Sequence, residues 1–176
     1  MPSKQLASFD AIRKNLALIK QKRPEFPLEY ARLVRLIANI HQRTVDLYND
    51  VLKPFDLTYR TYSALMSIYS NGEQGIAPSD LAEAMGEKRT NITRLCDELI
   101  AMQLISREFG SADRRSHKLC VTADGMALID RVTPHTKDFL TQIYSPLSAR
   151  EVAGVDAALY KQLEVLVRMN KQTAKV

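Results

Sequence analysis

Two runs of this chain hold side chains suited to chemistry on a polyanion. The first, Lys88-Arg89-Thr90-Asn91-Ile92-Thr93-Arg94, interleaves cations with hydroxyl and amide groups. The second, Ser106 to Thr122, reads as two short strands joined by a tight turn with Asp113, Arg114 and Arg115 at its tip. Thr and Asn side chains hydrogen-bond base edges, and arginine grips guanine O6 and N7 through two parallel bonds. Lysine and arginine on phosphate set affinity and salt dependence, not sequence choice. A helix followed by an arginine-tipped ribbon is how a winged helix-turn-helix meets DNA. The helix enters the major groove, and the arginines sit on phosphate or in the narrow groove beside it. On this reading Thr90, Asn91, Thr93 and Arg94 face bases. Lys88, Arg89, Arg114 and Lys118 face phosphate, and Ser79, heading the preceding short helix, is a further candidate for DNA contact.

Competing chemistries find little support. His41, His117 and His135 are scattered, and there is no Ser/His/Asp order, glycine-rich phosphate loop or paired-carboxylate cleft. An enzyme is therefore not expected. Cys96 and Cys120 form no CxxC or Cys/His cluster, so neither a metal nor another cofactor is expected. Both cysteines fall at apolar positions and read as small buried hydrophobes. Apolar runs are too short for a signal peptide or a membrane span, which predicts a cytoplasmic protein without a membrane partner.

The positioning elements are mostly helical. The chain has 176 residues, is 45% hydrophobic and has few Gly and Pro, which suits one packed domain with long arms. Net charge is +5, but it is unevenly spread. Residues 1–35 hold eight basic and three acidic side chains, and residues 88–118 hold seven and four. The second basic block coincides with the helix and ribbon, the electrostatic footprint of a nucleic-acid binder.

Helical periodicity appears over residues 5–22 (Leu6, Phe9, Ile12, Leu16, Ile19). It recurs from Leu28 to about Lys53, where Pro54 stops it. Thr58 suits an N-cap for a helix over Tyr59 to Ser70. Ile76 suits a small strand that caps the ribbon. A short helix opening at Pro78-Ser79-Asp80 and closing at Gly86, then a helix from Arg89 to Met102, give helix-turn-helix spacing. Ile92, Leu95, Cys96 and Leu99 form the buried face of the second. A helix over Ala123 to Tyr144 should turn Met126, Ile129, Val132, Phe139 and Ile143 inward and bend at Pro134. Ser148 and Glu151 make a capping box for a last helix with Val152, Val155, Leu159, Leu163 and Leu166 at helical spacing. The long terminal helices have little core of their own to hide against. This predicts a two-fold homodimer that buries their stripes.

Leu57-Thr58-Tyr59, Pro78-Ser79-Asp80-Leu81-Ala82, Arg89-Thr90-Asn91-Ile92-Thr93-Arg94-Leu95, Asp97-Glu98-Leu99 and Asp113-Arg114-Arg115 before Leu119-x-Val121-Thr122 resemble the MarR family of bacterial transcriptional regulators. The Arg-Thr-Asn-x-Thr-Arg run and the extra basic N-terminal helix look most like its EmrR (MprA) branch. The resemblance implies dimeric winged-helix repressors, many released from DNA by small aromatic acids, phenols or uncouplers. It matches Thr90, Asn91, Thr93 and Arg94 to the recognition helix, Arg115 to the wing-tip arginine and Asp113 to the aspartate that braces it. It also implies a pocket where the dimer arms meet the DNA-binding lobe, with Tyr59 in its lining. Positions that are basic in some relatives are Asn39 and Gln42 here. Arg35 shares their helix face and could supply the charge instead. Tyr62 and Met66 are further candidates for ligand contact, with His41 and Arg43 nearby.

The sequence therefore predicts a mainly α fold with a small β-wing. Helices over 1–57 and 123–176 would serve dimerisation, and 58–122 would form a winged helix-turn-helix DNA-binding lobe. The expected function is a repressor released from a pseudo-palindromic double-stranded operator by a small aromatic acid or phenolic compound. The alternatives are a redox-responsive or ligand-independent regulator, and a winged-helix module for protein contact. Steep salt dependence of DNA binding separates the last from the rest. Arg115→Ala is expected to weaken operator binding in fluorescence anisotropy while the circular dichroism melt stays unchanged. Wild-type affinity in that variant removes the wing assignment.

Overall fold

Helices form where apolar residues recur every three or four positions, and strands appear in the one stretch that lacks this period. The computed structural model describes residues 4–109 and 117–173. Its elements are α1 (Lys4–Lys22), α2 (Leu28–Leu52), α3 (Tyr59–Tyr69), α4 (Pro78–Ala84), α5 (Arg89–Ala101), β1 (Ile105–Phe109), β2 (His117–Val121), α6 (Ala123–Tyr144) and α7 (Ala149–Thr173). The expected mainly α fold with a β-wing is the fold observed. No helix among the described residues is long and apolar enough to cross a membrane.

The chain divides into two units, Met1–Tyr59 and Arg60–Val176. In the first, α1 packs on α2. Lys20 Nζ donates to the Phe26 carbonyl at 2.9 Å and so ties the turn between them. α2 ends at Leu52, just before Pro54 as expected, and Lys53–Phe55 follow as a short 3-10 turn with the proline in its first positions. A missing N–H costs nothing there, because no helical partner would have received it. The Tyr59 amide donates to Asn49 Oδ1 at 2.7 Å, so α3 begins on a side chain of α2.

In the second unit, α5 packs on α4 and β1. The expected face is buried: Ile92, Leu95, Cys96 and Leu99 are all nearly inaccessible. Each large apolar side chain buried this way contributes about 1.5–3 kcal/mol relative to exposure. Antiparallel pairing sets Ile105 opposite Val121 and Arg107 opposite Leu119. Ile76 adds the expected third strand as a bridge: its N–H donates to the Leu119 carbonyl at 3.1 Å, and Leu119 N–H donates back at 2.9 Å. Leu119 and Cys120 are buried in succession, which breaks the alternation of a one-sided strand. Gly75 approaches Cys120 closely on that side of the strand.

Thr122 caps α6. Its hydroxyl accepts from Gly125 N–H at 3.0 Å and donates to the Gln103 carbonyl at 2.6 Å, joining α6 to the end of α5. Ile129, Val132 and Phe139 are buried as expected, but Met126 is 40% exposed. In the first turn Gly125 faces the Leu104 carbonyl, where a Cβ would lie 2.1 Å from the oxygen. Gly125 and Leu128 take the inward places instead. Pro134 lies inside α6 as predicted. The Ser148–Glu151 capping box forms with both reciprocal bonds, at 2.8 and 3.3 Å. The Ser148 bonds hold the Glu151 carboxyl below its ordinary value. That stabilisation is present above the usual glutamate range and is lost as pH falls through the lowered value.

The apolar stripes of the long helices are largely uncovered within the single chain. Leu33, Leu36, Ile37, Ile40 and Leu47 on α2 are exposed, as are Val152, Val155, Leu159, Leu163 and Leu166 on α7.

Gly75 has φ 63° and ψ 179°, a conformation open essentially to glycine. A Cβ there would lie 2.7 Å from Cys120 Sγ and 2.8 Å from the Leu119 carbonyl oxygen. Gly75→Ala is expected to destabilise the protein by roughly 1–3 kcal/mol in urea unfolding at fixed concentration. An unchanged midpoint would mean that the strand bridge does not depend on this close approach.

Candidate nucleic-acid interface

Burial of one face of α5 leaves the other free. Lys88, Arg89, Thr90, Thr93 and Arg94 are all exposed, and Asn91 is half-buried at the edge. Thr93 Oγ1 donates to the Arg89 carbonyl at 3.0 Å, so its free lone pairs point outward as acceptors. Ser79 is exposed in the first turn of α4, and its hydroxyl donates to Asp80 Oδ1 at 3.0 Å. Lys118 is exposed on β2. Asp113, Arg114 and Arg115 lie outside the described residues.

Two acids on or beside α5 were not part of the expected site, and arginines cover both. Glu87 lies just before the helix. Its Oε1 is 3.1 Å from Arg60 Nη2, and its Oε2 accepts from Asn91 Nδ2 at 2.9 Å. Asp97 Oδ1 is 2.6 Å from Arg107 Nη2, which joins α5 to β1. The Glu87–Asn91 spacing of four residues is a helical neighbour signal that the sequence does carry. Arg60 and Arg107 reach their acids from other elements, and nothing local announces them. The Asp97–Arg107 pair is solvent-exposed and Glu87 is half-buried beside an exposed Arg60, so both pairs contribute little energy and matter chiefly for geometry. A bare carboxylate facing phosphate repels it, and a paired one does so much less.

The residues expected to meet a small ligand divide between the two units. On α2, Arg35 is exposed, Asn39 is half-buried, and Gln42 Nε2 donates to Asp46 Oδ1 at 2.9 Å. Gln42 thus has one amide donor engaged by its own helix. The Tyr59 ring packs on Tyr48 at 5.1 Å between centroids, tilted by 51°. On α3, Tyr62 Oη lies 3.3 Å from Thr136 Oγ1, and Met66 is half-buried.

Comparison with known proteins bears on the same region. Residues 55–116 match the model of the MarR family. The chain is 30% identical over 165 residues to the transcriptional repressor MprA of Escherichia coli K12, covering 94% of each. Among solved structures it is similar to a mutant MarR from E. coli complexed with operator DNA. That match has a TM-score of 0.70 and 27% identity, and covers 77% of this chain and 96% of that one. It also shares the fold of MepR from S. aureus in a DNA complex, with TM-score 0.69, 24% identity, and coverage of 78% and 96%.

The two thiols are poor nucleophiles where they stand. Burial pushes the Cys96 thiol up, and the nearby Arg107 guanidinium offsets this only in part. Burial also pushes Cys120 up, and the Glu108 carboxylate that accepts its hydrogen bond adds to the rise. A raised thiol pKa lowers the thiolate fraction at neutral pH, and the thiolate is the reactive form. Both cysteines are expected to react with iodoacetamide far more slowly at pH 8 in the native protein than in urea, read by intact mass. Fast labelling of the folded protein would restore a redox role.

Proposed function

The chain belongs to the MarR family of winged-helix, DNA-binding transcriptional regulators, and from that premise we propose that it is a dimeric repressor released from its operator by a small aromatic acid or phenol. The observation that carries the reading is the face of α5. Thr90, Asn91, Thr93 and Arg94 stand on a helix whose other side is locked by Ile92, Leu95 and Leu99. A rigid helix of this polarity supplies base contacts, and Lys88, Arg89 and Lys118 supply phosphate contacts. Arg114 and Arg115, with Asp113 as brace, extend the proposed interface at the wing tip. Ser79 adds a hydroxyl near the head of α4.

The uncovered stripes of α2 and α7 support a second copy as their cover. Exposed apolar surface on this scale is rare in a soluble monomer. Two copies would set two α5 helices in successive major grooves of a pseudo-palindrome, with half-sites roughly 10 base pairs apart. The effector contacts we assign are Arg35 for the acid, Asn39 and Gln42 for hydrogen bonds, and Tyr59, Tyr62 and Met66 for the ring. Bound effector would favour a lobe spacing that no longer fits the half-sites. A coupling of about 1–3 kcal/mol gives a 5- to 150-fold loss of affinity.

The test is fluorescence anisotropy on DNA upstream of the protein's own gene, with and without salicylate and related aromatic acids. Tight, salt-sensitive binding released by an acid is expected. Binding that no acid disturbs at any concentration would remove the effector class and leave a ligand-independent regulator. A winged-helix module for protein contact would instead give weak binding without sequence preference. Sedimentation of a monomer at the working concentration would remove the two-half-site geometry.

A further inference from the structure

Glu87 determines what Asn91 can read. A carboxylate is an acceptor with no proton to give at neutral pH. Its Oε2 lies 2.9 Å from the Asn91 side-chain amide, so the group turned toward it must be the –NH2 and not the carbonyl. The Arg60 guanidinium, 3.1 Å from Oε1, holds the carboxylate on its other side. Asn91 therefore cannot turn its amide over without setting two oxygens against each other. It keeps Oδ1 and one N–H for DNA.

We propose that Glu87, held by Arg60, is a specificity-determining positioning residue that makes Asn91 read adenine and reject guanine. Adenine presents a donor at N6 beside an acceptor at N7, which matches one carbonyl oxygen and one N–H. Guanine presents two acceptors, O6 and N7. An unrestrained asparagine can offer both N–H groups of its amide to guanine. Here one is already committed to Glu87, and Oδ1 would meet O6 as a second acceptor. The inference rests on the DNA-binding reading above and adds to it the base that one contact selects.

The experiment is selection of the full-length protein on a randomised DNA pool, followed by sequencing, for wild type, Asn91→Ala, Glu87→Gln and Glu87→Met. Loss of preference in Asn91→Ala locates the base pair that Asn91 reads. At that pair wild type is expected to favour adenine over guanine by roughly tenfold. Glu87→Gln keeps the size of the side chain but can donate, so Asn91 is free to turn over. Its preference should fall to roughly twofold or less at that pair alone, with the rest of the motif kept. Glu87→Met, which cannot accept, should give the same pattern. A merely structural role would weaken every position together. Retention of the wild-type preference in both Glu87 variants, or guanine at the Asn91 position in wild type, overturns the proposal. Absence of any enriched motif for wild type overturns the DNA reading itself, a distinct result.

Discussion

Two backbone hydrogen bonds, exchanged between Ile76 and Leu119, set the geometry on which the winged helix depends. They attach the chain before α4 to the wing strand that follows α5. The helix-turn-helix is thereby closed into a loop with both ends on one strand. Leu119 is fully buried and also lies opposite Arg107 in the β1–β2 ladder. Arg107 in turn reaches back to Asp97 on α5. One residue's backbone thus fixes the wing, and its cross-strand neighbour relates the wing to α5. The close approach at Gly75 is what lets this strand lie so near its neighbour.

Much of this was legible from local signals. The spacing of Ile92, Leu95, Cys96 and Leu99 names the buried side of α5, and its complement names the exposed one. Caps were readable because they act over three residues, as Ser148 and Glu151 do. One feature was misread for reasons of packing. Met126 has the right spacing for the core of α6, but its neighbour Gly125, set against the Leu104 carbonyl, takes the inward place in that first turn. Pro54 was readable as a stop, and α2 ends at Leu52 just before it.

The exposed face of α5, proposed to be the site, was legible in its cations and hydroxyls and illegible in its acids. Lys88, Arg89, Thr90, Thr93 and Arg94 declare themselves by type and by helical position. The roles of Glu87 and Asp97 depend on Arg60 and Arg107, which come from α3 and β1. Pairing between elements leaves no period in a sequence. The same limit applies to Tyr62, whose hydroxyl meets Thr136 from a helix 74 positions away.

The Asp97–Arg107 pair has a consequence for how the chain can vary. Loss of Arg107 alone strips the cover from a carboxylate on the exposed face of α5, the face proposed to meet DNA, so the single change does more harm than loss of a weak surface pair. Loss of Asp97 alone leaves a cation, which that face tolerates. If that face meets DNA, removing the acid should rescue the loss of the arginine, so the two substitutions should not add. A lineage can therefore lose this pair by one order of steps, the aspartate first and the arginine afterwards.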